Sequence, residues 1–273
     1  MSLSGKRVLI VNDDGIDGPG IKLLETIARG STDDVWVVAP DEERSGAGHG
    51  ISVSNPIRYV QRDERHFAVR GSPADCALLG INVFCDGKKP DILLAGINSG
   101  PNLAEDVHYS GTCAAAKEGA LLGIPSLSLN QMRSYDNPAK WETSEAHLPR
   151  IIAETLAMDW LPGLFMNVNV PNVTPEEISG IAITRQGQRL PGGFMPVRRT
   201  DERTVPYFWI KISPNHPELE PGTDLYAVAQ NAISITPLQL DMTCRPAVAR
   251  LEAMFVDRAP ADVLSLAALE GCI

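Results

Sequence analysis

Polar and apolar positions follow two alternating patterns through the first half of the chain. Short runs dominated by apolar residues end at polar clusters, as expected of strands buried on both faces of a mostly parallel sheet. Between them lie stretches with helical spacing. After Pro19, for example, Ile21, Leu24 and Ala28 fall on one helical face. The alternation predicts an α/β fold with helices on both sides of the sheet.

Predicted elements extend over most of the chain. Strands are predicted at 7–11, 35–39, 57–62, 66–70, 91–95, 126–129, 165–170, 207–212 and 232–236. Helices are predicted from Pro19, at about 73–84, after Thr112, at about 144–158 and at 245–257. The segment 186–203 is rich in Gly, Arg and Pro and has neither helical nor strand periodicity. We interpret it as an exposed excursion or an arm.

Composition narrows the class of protein. With 273 residues, 44% of them hydrophobic and 21% charged, the chain resembles an ordinary globular protein. Its net charge of −10 argues against a nucleic-acid partner, which would require a basic face. Because no apolar run approaches the ~20 residues that cross a bilayer, and no signal-peptide core is present, we expect a cytoplasmic protein without a membrane partner. Five cysteines without a Cys-x-x-Cys pair are expected to be reduced thiols.

Four polar clusters lie at predicted strand ends or at a helix start. They are Asn12-Asp13-Asp14, Arg44-Ser45-Gly46-Ala47-Gly48, Gly96-Ile97-Asn98-Ser99-Gly100-Pro101-Asn102 and Tyr109-Ser110-Gly111-Thr112. Because the carboxyl ends of parallel strands gather at one edge of a sheet, we expect the clusters to share one cleft. Singly, each has a plainer explanation as a helix cap or a turn. Independent caps would not, however, place every oxygen ligand at the same edge.

The residue types in these clusters favour a hard metal ion. The adjacent carboxylates of Asp13 and Asp14 disfavour joint ionisation unless a cation compensates. Carboxylate, hydroxyl and amide oxygens suit Mg²⁺, Mn²⁺ or Ca²⁺ and suit zinc or copper poorly. The helix start at Ser110-Gly111-Thr112 would direct backbone N–H groups at an anion, as phosphate sites do. A metal beside an anion pocket suggests hydrolysis of a phosphate ester.

Other mechanisms are less well supported by the sequence. The dinucleotide motif G-x-G-x-x-G, the P-loop and the nucleophile elbow G-x-S-x-G are absent. A covalent aspartyl-phosphate on Asp13 or Asp14 is conceivable. We rank it behind attack by a water molecule that the metal activates.

Taken together, the segments resemble the SurE family of survival proteins, which are metal-dependent 5'(3')-nucleotidases. The similarity runs in order through nearly the whole chain. It is carried by Val11-Asn12-Asp13-Asp14-Gly15-Ile16, Pro19-Gly20-Ile21, Val38-Ala39-Pro40-Asp41, Arg44-Ser45-Gly46, Gly71-Ser72-Pro73-Ala74-Asp75-Cys76, Gly96-Ile97-Asn98-Ser99-Gly100-Pro101-Asn102-Leu103, Tyr109-Ser110-Gly111-Thr112, Asn167-Val168-Asn169-Val170-Pro171, Gly222-Thr223-Asp224 and Ser234-Ile235-Thr236-Pro237-Leu238.

The resemblance implies an organisation for the chain. Residues 1–135 would form a Rossmann-like, doubly wound core that binds metal and phosphate. Residues 136–273 would supply the remaining core strands, an oligomerisation arm at about 184–232 and C-terminal helices. This smaller C-terminal region would exchange elements between the subunits of a homodimer or homotetramer.

The resemblance also implies that the metal ligands are Asp13, Asp14, Ser45 and Asn98, the same set that the donor chemistry favours. Our own hypothesis adds that one of the two aspartates accepts the proton of the attacking water. In the same hypothesis the phosphoryl oxygens are held by Asn102, Ser110, Gly111 and Thr112. We expect one divalent cation per subunit, Mg²⁺ or Mn²⁺, with Ca²⁺ as a possible occupant in crystals. Ala104-Glu105-Asp106 departs from the usual Gly-Asp-Asp of the family, and Ser99 from the common Ala, without removing a ligand.

Two functions fit this pattern. The first is hydrolysis of nucleoside 5'-monophosphates, and of 3'-monophosphates, to nucleoside and orthophosphate, with short polyphosphate as a further substrate. The alternative is a non-catalytic, metal-dependent nucleotide-binding stress sensor that uses the same site. The first is favoured because a metal beside an anion pocket needs few further groups for hydrolysis.

Overall fold

The computed structural model describes residues 3–133, 136–189, 194–212 and 219–255. The chain forms two compact units, one ending at Leu240 and one beginning at Asp241. In the second unit a helix runs from Arg245 to Phe255, and Arg245 Nη2 donates to Asp241 Oδ2 at 3.0 Å. All other elements belong to the first unit.

The first unit is built on a nine-stranded sheet. The strands of the chain are β1 (Val8–Val11), β2 (Val35–Pro40), β3 (Arg58–Gln61), β4 (His66–Arg70), β5 (Ile92–Ser99), β6 (Ser126–Gln131), β7 (Leu164–Val170), β8 (Gly180–Ile183), β9 (Phe194–Thr200), β10 (Pro206–Ile212) and β11 (Ala232–Gln239). The sheet order is β3-β4-β2-β1-β5-β6-β7-β11-β8. Only the β3–β4 and β7–β11 pairs of this sheet are antiparallel. The predicted Rossmann-like, mostly parallel α/β fold is confirmed.

Helices cover both faces of this sheet. The helices of the first unit are α1 (Pro19–Arg29), α2 (Pro73–Leu79), α3 (Asp106–Tyr109), α4 (Gly111–Leu121), α5 (Trp141–Leu156) and α6 (Asp224–Ala229); the helix Arg245–Phe255 of the second unit is α7. On β1, Val8 and Ile10 pack in the layer that contains α1 and α5, whereas Leu9 and Val11 pack in the layer that contains α2 and α4. The period of two along β1 therefore divides the core into two layers.

The close approach of α1 to β5 brings two of the predicted polar clusters together. A Cβ atom at Gly20 would lie 1.9 Å from the carbonyl oxygen of Ile97, so only glycine fits at this contact. Because Gly20 closes the loop that follows Asp13 and Asp14, the contact fixes that loop beside the end of β5. The site is thus positioned by main-chain packing.

Most predicted elements are confirmed, and the differences are local. The helix predicted at 73–84 ends at Leu79 and continues as a single π-helical turn over Gly80–Phe84. The strand β8 and the helices α3 and α6 are short and were not predicted. The helix predicted at 144–158 runs from Trp141 to Leu156. The last two residues of the helix predicted at 245–257 lie outside the described part of the chain.

Residues 190–193 of the segment 186–203 lie outside the described part of the chain. Residues 194–200 are mostly exposed, in agreement with the interpretation as an arm, but they form a strand that the sequence pattern does not predict. There the chain forms β9, which pairs antiparallel with β10 from Phe194↔Ile212 to Thr200↔Pro206. We call this two-stranded unit the hairpin arm, residues 194–212. The side chains of β9 are mostly exposed, so the strand needs no apolar alternation and its sequence shows none. The division of the chain at residue 135 stays a prediction, and the nine-stranded sheet takes strands from both sides of it.

Among the helices that the structure describes, none combines the length and the apolar composition needed to span a membrane.

Stability should depend on pH through His66 at the start of β4. Its Nδ1 lies 2.7 Å from Asp63 Oδ1 and its Nε2 lies 3.0 Å from Glu25 Oε1. Burial lowers the pKa of His66, but the hydrogen bonds and the charges of Asp63 and Glu25 outweigh this effect and leave the pKa above its usual value. The stabilisation is therefore complete below the pKa of the unfolded chain and is lost as pH rises through the folded-state pKa.

We predict that His66→Gln lowers the free energy of unfolding at pH 5.5 and has a smaller effect at pH 9. The loss at pH 5.5 should be below about 1 kcal/mol, because the group is partly solvated. Urea titrations of both proteins at the two pH values measure it. His147→Gln is the control, since His147 hydrogen-bonds to the carbonyl oxygen of Pro175. An equal effect of His66→Gln at both pH values would contradict the prediction.

Candidate metal and phosphate site

Strand β1 runs directly into Asn12-Asp13-Asp14 at its carboxyl end. Asn12 is buried, and its Nδ2 donates to Gly15 O at 2.8 Å, closing a tight turn. Gly15 adopts φ +93, a conformation that side chains other than glycine rarely adopt. The turn holds Asp13 buried and leaves Asp14 partly exposed.

Asp13 lies against the first turn of α4. Thr112 Oγ1 donates to Asp13 Oδ1 at 2.6 Å. Burial raises the pKa of Asp13 to about 6; the hydrogen bond from Thr112 opposes this rise and the charge of Asp14 adds to it. A Cβ at Gly111 would lie 2.8 Å from Asp13 Cβ, so glycine is required for this close approach. The arrangement places a buried carboxylate at the positive end of an 11-residue helix.

Asp14 joins β1 to the end of β5. The backbone N–H of Ser99 donates to Asp14 Oδ2 at 3.0 Å. Burial raises the pKa of Asp14, and the hydrogen bond from Ser99 lowers it in part. Asn98, the neighbour of Ser99, is half-buried, and its Nδ2 donates to Gly100 O at 3.0 Å. The Asn98 amide oxygen is thereby left as the candidate ligand.

Ser45 is held close to this group through its loop. The backbone N–H of Arg44 donates to Asp13 O at 2.7 Å, which fixes the loop of residues 41–50 beside β1. The Ser45 side chain itself is exposed, and its Oγ donates to Glu43 Oε1 at 2.9 Å. Hydrogen bonds therefore connect the segments that carry Asp13, Asp14 and Asn98, whereas the Ser45 hydroxyl bonds to a different partner.

The donor set fits a hard divalent cation. In the parts of the chain with described coordinates, no group of three or more His, Cys, Asp or Glu side chains could hold a metal. A site here would therefore combine two carboxylates with amide and hydroxyl oxygens, which suits Mg²⁺, Mn²⁺ or Ca²⁺. Next to the carboxylates, Asn12 Oδ1 is buried and accepts no hydrogen bond from any described residue. Two acids with raised pKa values and an unpaired oxygen create a negative potential that a cation would offset.

The start of α4 offers a place for an anion. Ser110 is the N-cap, and its Oγ accepts a hydrogen bond from Cys113 N at 3.0 Å. The backbone N–H groups of Gly111 and Thr112 have no acceptor within the helix, as at every helix start. Because the Thr112 hydroxyl is already bonded to Asp13, an anion here would be held by these N–H groups and the helix dipole.

Asn102 is built into a buried polar network, a role that the sequence did not indicate. Its Nδ2 donates to Asn130 Oδ1 at 2.6 Å, and its backbone N–H donates to Asn169 Oδ1 at 2.9 Å. Asn167 Nδ2 donates to Asn102 O at 2.7 Å. Asn167 and Asn169 stand two apart on β7 and therefore point to the same face. In the sequence, this spacing indicates a shared polar face on β7, but it does not identify the residues to which the two asparagines bond.

A second contact missed from the sequence ties the loop of residues 41–50 to α4. His49 Nε2 lies 3.0 Å from Glu118 Oε2, and Glu118 is buried. The backbone N–H of Gly48 donates to Tyr109 O at 2.9 Å. The loop that carries Ser45 is therefore anchored at both of its ends, at Arg44 and at Gly48–His49.

Known proteins resemble this chain over most of its length. The family model for survival protein SurE matches residues 8–192. A protein named 5'-nucleotidase SurE from Paramagnetospirillum magneticum (strain ATCC 700264 / AMB-1) is 48% identical over 252 residues, covering 92% of this chain and 96% of the relative. Another of the same name, from Methylorubrum extorquens (strain PA1), is 45% identical over 251 residues, covering 91% of this chain and 99% of the relative.

A solved structure shows the same likeness. The crystal structure of the SurE protein from Aquifex aeolicus superposes with a TM-score of 0.78 at 37% sequence identity, covering 91% of this chain and 99% of that one. Sequence and structure therefore agree over the same span. The resemblance drawn from the motifs is confirmed, and the chain belongs to the SurE family of survival proteins.

Proposed function

We propose that the protein is a metal-dependent 5'-nucleotidase that hydrolyses nucleoside 5'-monophosphates, and also 3'-monophosphates, to nucleoside and orthophosphate. The proposal rests on two hydrogen bonds, which join Asp13 to the start of α4 and Asp14 to the end of β5. Relatives at 48% and 45% identity are named 5'-nucleotidase SurE, which supports the same activity. Short polyphosphate is a further proposed substrate, since it presents the same terminal phosphoryl group.

One Mg²⁺ or Mn²⁺ would be held by Asp13, Asp14 and Asn98, with Ser45 as the fourth ligand. When bound, such an ion lowers the pKa of a water molecule and neutralises charge on phosphoryl oxygens. Ser45 would have to exchange its hydrogen bond to Glu43 for the ion, which a rotation about its first side-chain torsion allows. Ca²⁺ would suit the same oxygens.

The chain's own groups would orient the substrate and move the proton. The N–H groups of Gly111 and Thr112, capped by Ser110, would hold the phosphoryl oxygens at the start of α4. One of the two aspartates would accept the proton of the attacking water. Asn102 could contact the phosphate only by giving up its bond to Asn130, so its proposed contribution also includes holding the loop after Asn98.

Metal dependence tests the proposal directly. We expect phosphate release from AMP or GMP when Mn²⁺ or Mg²⁺ is present, loss of turnover in EDTA, and recovery when Mn²⁺ is restored. The reason is that the proposed mechanism requires a cation to activate the water and to neutralise charge on the phosphoryl oxygens. Colorimetric phosphate assays measure this. Unchanged turnover in EDTA would refute the metal role. Calorimetric nucleotide binding without phosphate release would instead favour the sensor, the alternative that the names of the relatives do not support.

Substitution of the carboxylates separates catalysis from folding. Asp13→Asn or Asp14→Asn should reduce kcat with AMP by about 100-fold or more, since losing even an outer partner of a metal ligand commonly costs 10–100-fold. In EDTA at pH 7.5, Asp13→Asn should melt no lower than wild type. Burial raises the Asp13 pKa to about 6, so its charged form is disfavoured in the fold, while asparagine still accepts the Thr112 hydrogen bond.

Asp17→Asn is the matched control for these variants, because Asp17 stands in the same loop but is exposed and pairs with Arg62. It should keep wild-type turnover. Near-normal turnover of Asp13→Asn or Asp14→Asn would remove that residue from the proposed mechanism.

We also propose that the hairpin arm joins copies of this chain in a dimer or tetramer. Phe208, Trp209 and Ile210 are 61%, 60% and 63% exposed, and they alternate between the two faces of the hairpin. A lone two-stranded hairpin is marginal in water, and so large an apolar surface indicates a binding partner.

Sedimentation measures this assembly. We predict that wild type sediments as a dimer or tetramer and that Phe208→Ser with Ile210→Ser shifts it to smaller species, because both changes remove apolar contact area. Val53→Ser is the control, since Val53 is 82% exposed outside the arm. A wild-type monomer, or an unchanged assembly in the double variant, would contradict the proposal.

A further inference from the structure

We propose that Tyr109 and Phe194 form a subsite for the heterocyclic base of the nucleotide, an assignment that rests on the proposed function. The two rings lie with centroids 5.0 Å apart and an interplanar angle of 68°, an edge-to-face contact. Tyr109 is 54% exposed and Phe194 is 41% exposed. Much of both aromatic surfaces is therefore open to a ligand. We call the pair the base subsite.

The base subsite adjoins the start of α4, the candidate phosphate site. Tyr109 is the last residue of α3 and directly precedes Ser110, the N-cap of α4. Its carbonyl oxygen accepts the hydrogen bond from Gly48, in the loop that also carries Ser45. Phe194 opens β9 of the hairpin arm. Three segments thus meet at the pair, namely the junction of α3 and α4, the loop of residues 41–50 and β9. The first two carry proposed phosphate or metal ligands.

The chain that precedes the arm is fixed to the same short helix that carries Tyr109. Arg189, five residues before Phe194, donates through Nη1 at 2.7 Å and Nη2 at 2.8 Å to the two carboxylate oxygens of Asp106, in the first turn of α3. The side chains of Arg189 and Asp106 are only 15% and 13% exposed. A bidentate, largely buried pair of this kind has a defined geometry. The pair therefore ties the chain to α3 five residues before Phe194, and the contact between the two rings is made on that helix at Tyr109.

The chemistry of a nucleotide matches this placement. Its base is separated from its phosphate by one ribose, so a phosphate at the first turn of α4 leaves the base near the residues that flank that turn. Exposed aromatic rings bind bases through their faces, and this mode tolerates every base because each has a π-face. The subsite would therefore favour nucleotides over phosphate esters without a base, with little preference among bases.

Two substrates isolate the contribution of the base. Phosphate release is measured with AMP and with ribose 5-phosphate, which has the sugar and phosphate but no base, and the ratio of the two kcat/KM values is compared. Tyr109→Ala and Phe194→Ala should each lower this ratio by between about 5-fold and about 150-fold, because stacking on one aromatic side chain contributes about 1 to 3 kcal/mol per base. Tyr109→Phe should restore the ratio, since stacking requires the ring and not the hydroxyl.

Tyr59→Ala is the matched control, because Tyr59 is also 54% exposed but lies on the edge strand β3. It should leave the ratio unchanged. A second readout needs no turnover: the fluorescence of 2-aminopurine riboside, titrated with protein, is quenched when its base stacks. Quenching should saturate with wild type and Tyr109→Phe and be lost in Tyr109→Ala.

The outcomes separate the two proposals. If wild type releases no phosphate from either substrate but quenches 2-aminopurine riboside through Tyr109, the nucleotidase proposal fails and the base subsite stands. If Tyr109→Ala and Phe194→Ala reduce turnover of both substrates equally, the pair is structural and the subsite is wrong. An unchanged ratio in both variants, or quenching that survives Tyr109→Ala, would also overturn it.

Discussion

The burial of the Asp13 carboxylate against the first turn of α4 is the constraint on which the rest of the site depends. A carboxylate with so little access to water is unfavourable as an anion, and its pKa of about 6 reports that penalty. Thr112 and the dipole of α4 compensate only in part. The remaining imbalance is the physical reason to expect a cation, because a bound charge is the group that lowers the energy of both aspartates together. The fold supplies the geometry, and the ligand would supply the missing charge.

Holding the Asp13 carboxylate in this position requires close contacts with the main chain, and glycine residues make these contacts possible. Gly111 leaves room for Asp13, and Gly20 lets α1 approach the carbonyl of Ile97. Around them, the side-chain amides of Asn167 and Asn169 hydrogen-bond to the backbone of Asn102 and fix the chain that follows β5. The carboxylates of Asp13 and Asp14 accept hydrogen bonds from the start of α4 and the end of β5, which preorganises their oxygens for a ligand.

Much of this arrangement could be predicted from sequence because it depends on periodicity and order along the chain. The apolar run before Asp13 predicted β1, and the alternation of strands and helices predicted that polar strand ends would gather at one edge. The hydrogen-bond partners of individual side chains could not be predicted from the sequence. Ser45 bonds to Glu43, and Asn102 bonds to Asn130 across the sheet. Such choices depend on rotamers and on residues distant in sequence, so no spacing rule identifies them.

The hairpin arm shows where the same reasoning fails. An alternating apolar pattern indicates which residues a chain buries inside its own fold, and the side chains of β9 are mostly exposed. A strand that pairs with its hairpin partner without burying its side chains in the core leaves no alternating pattern, although it is as regular as a core strand. Phe194 begins this strand and touches Tyr109 at the pocket. The exposed aromatic rings of this region are therefore open to contacts beyond the chain, and both proposals for the arm, assembly of subunits and binding of a base, depend on that exposure.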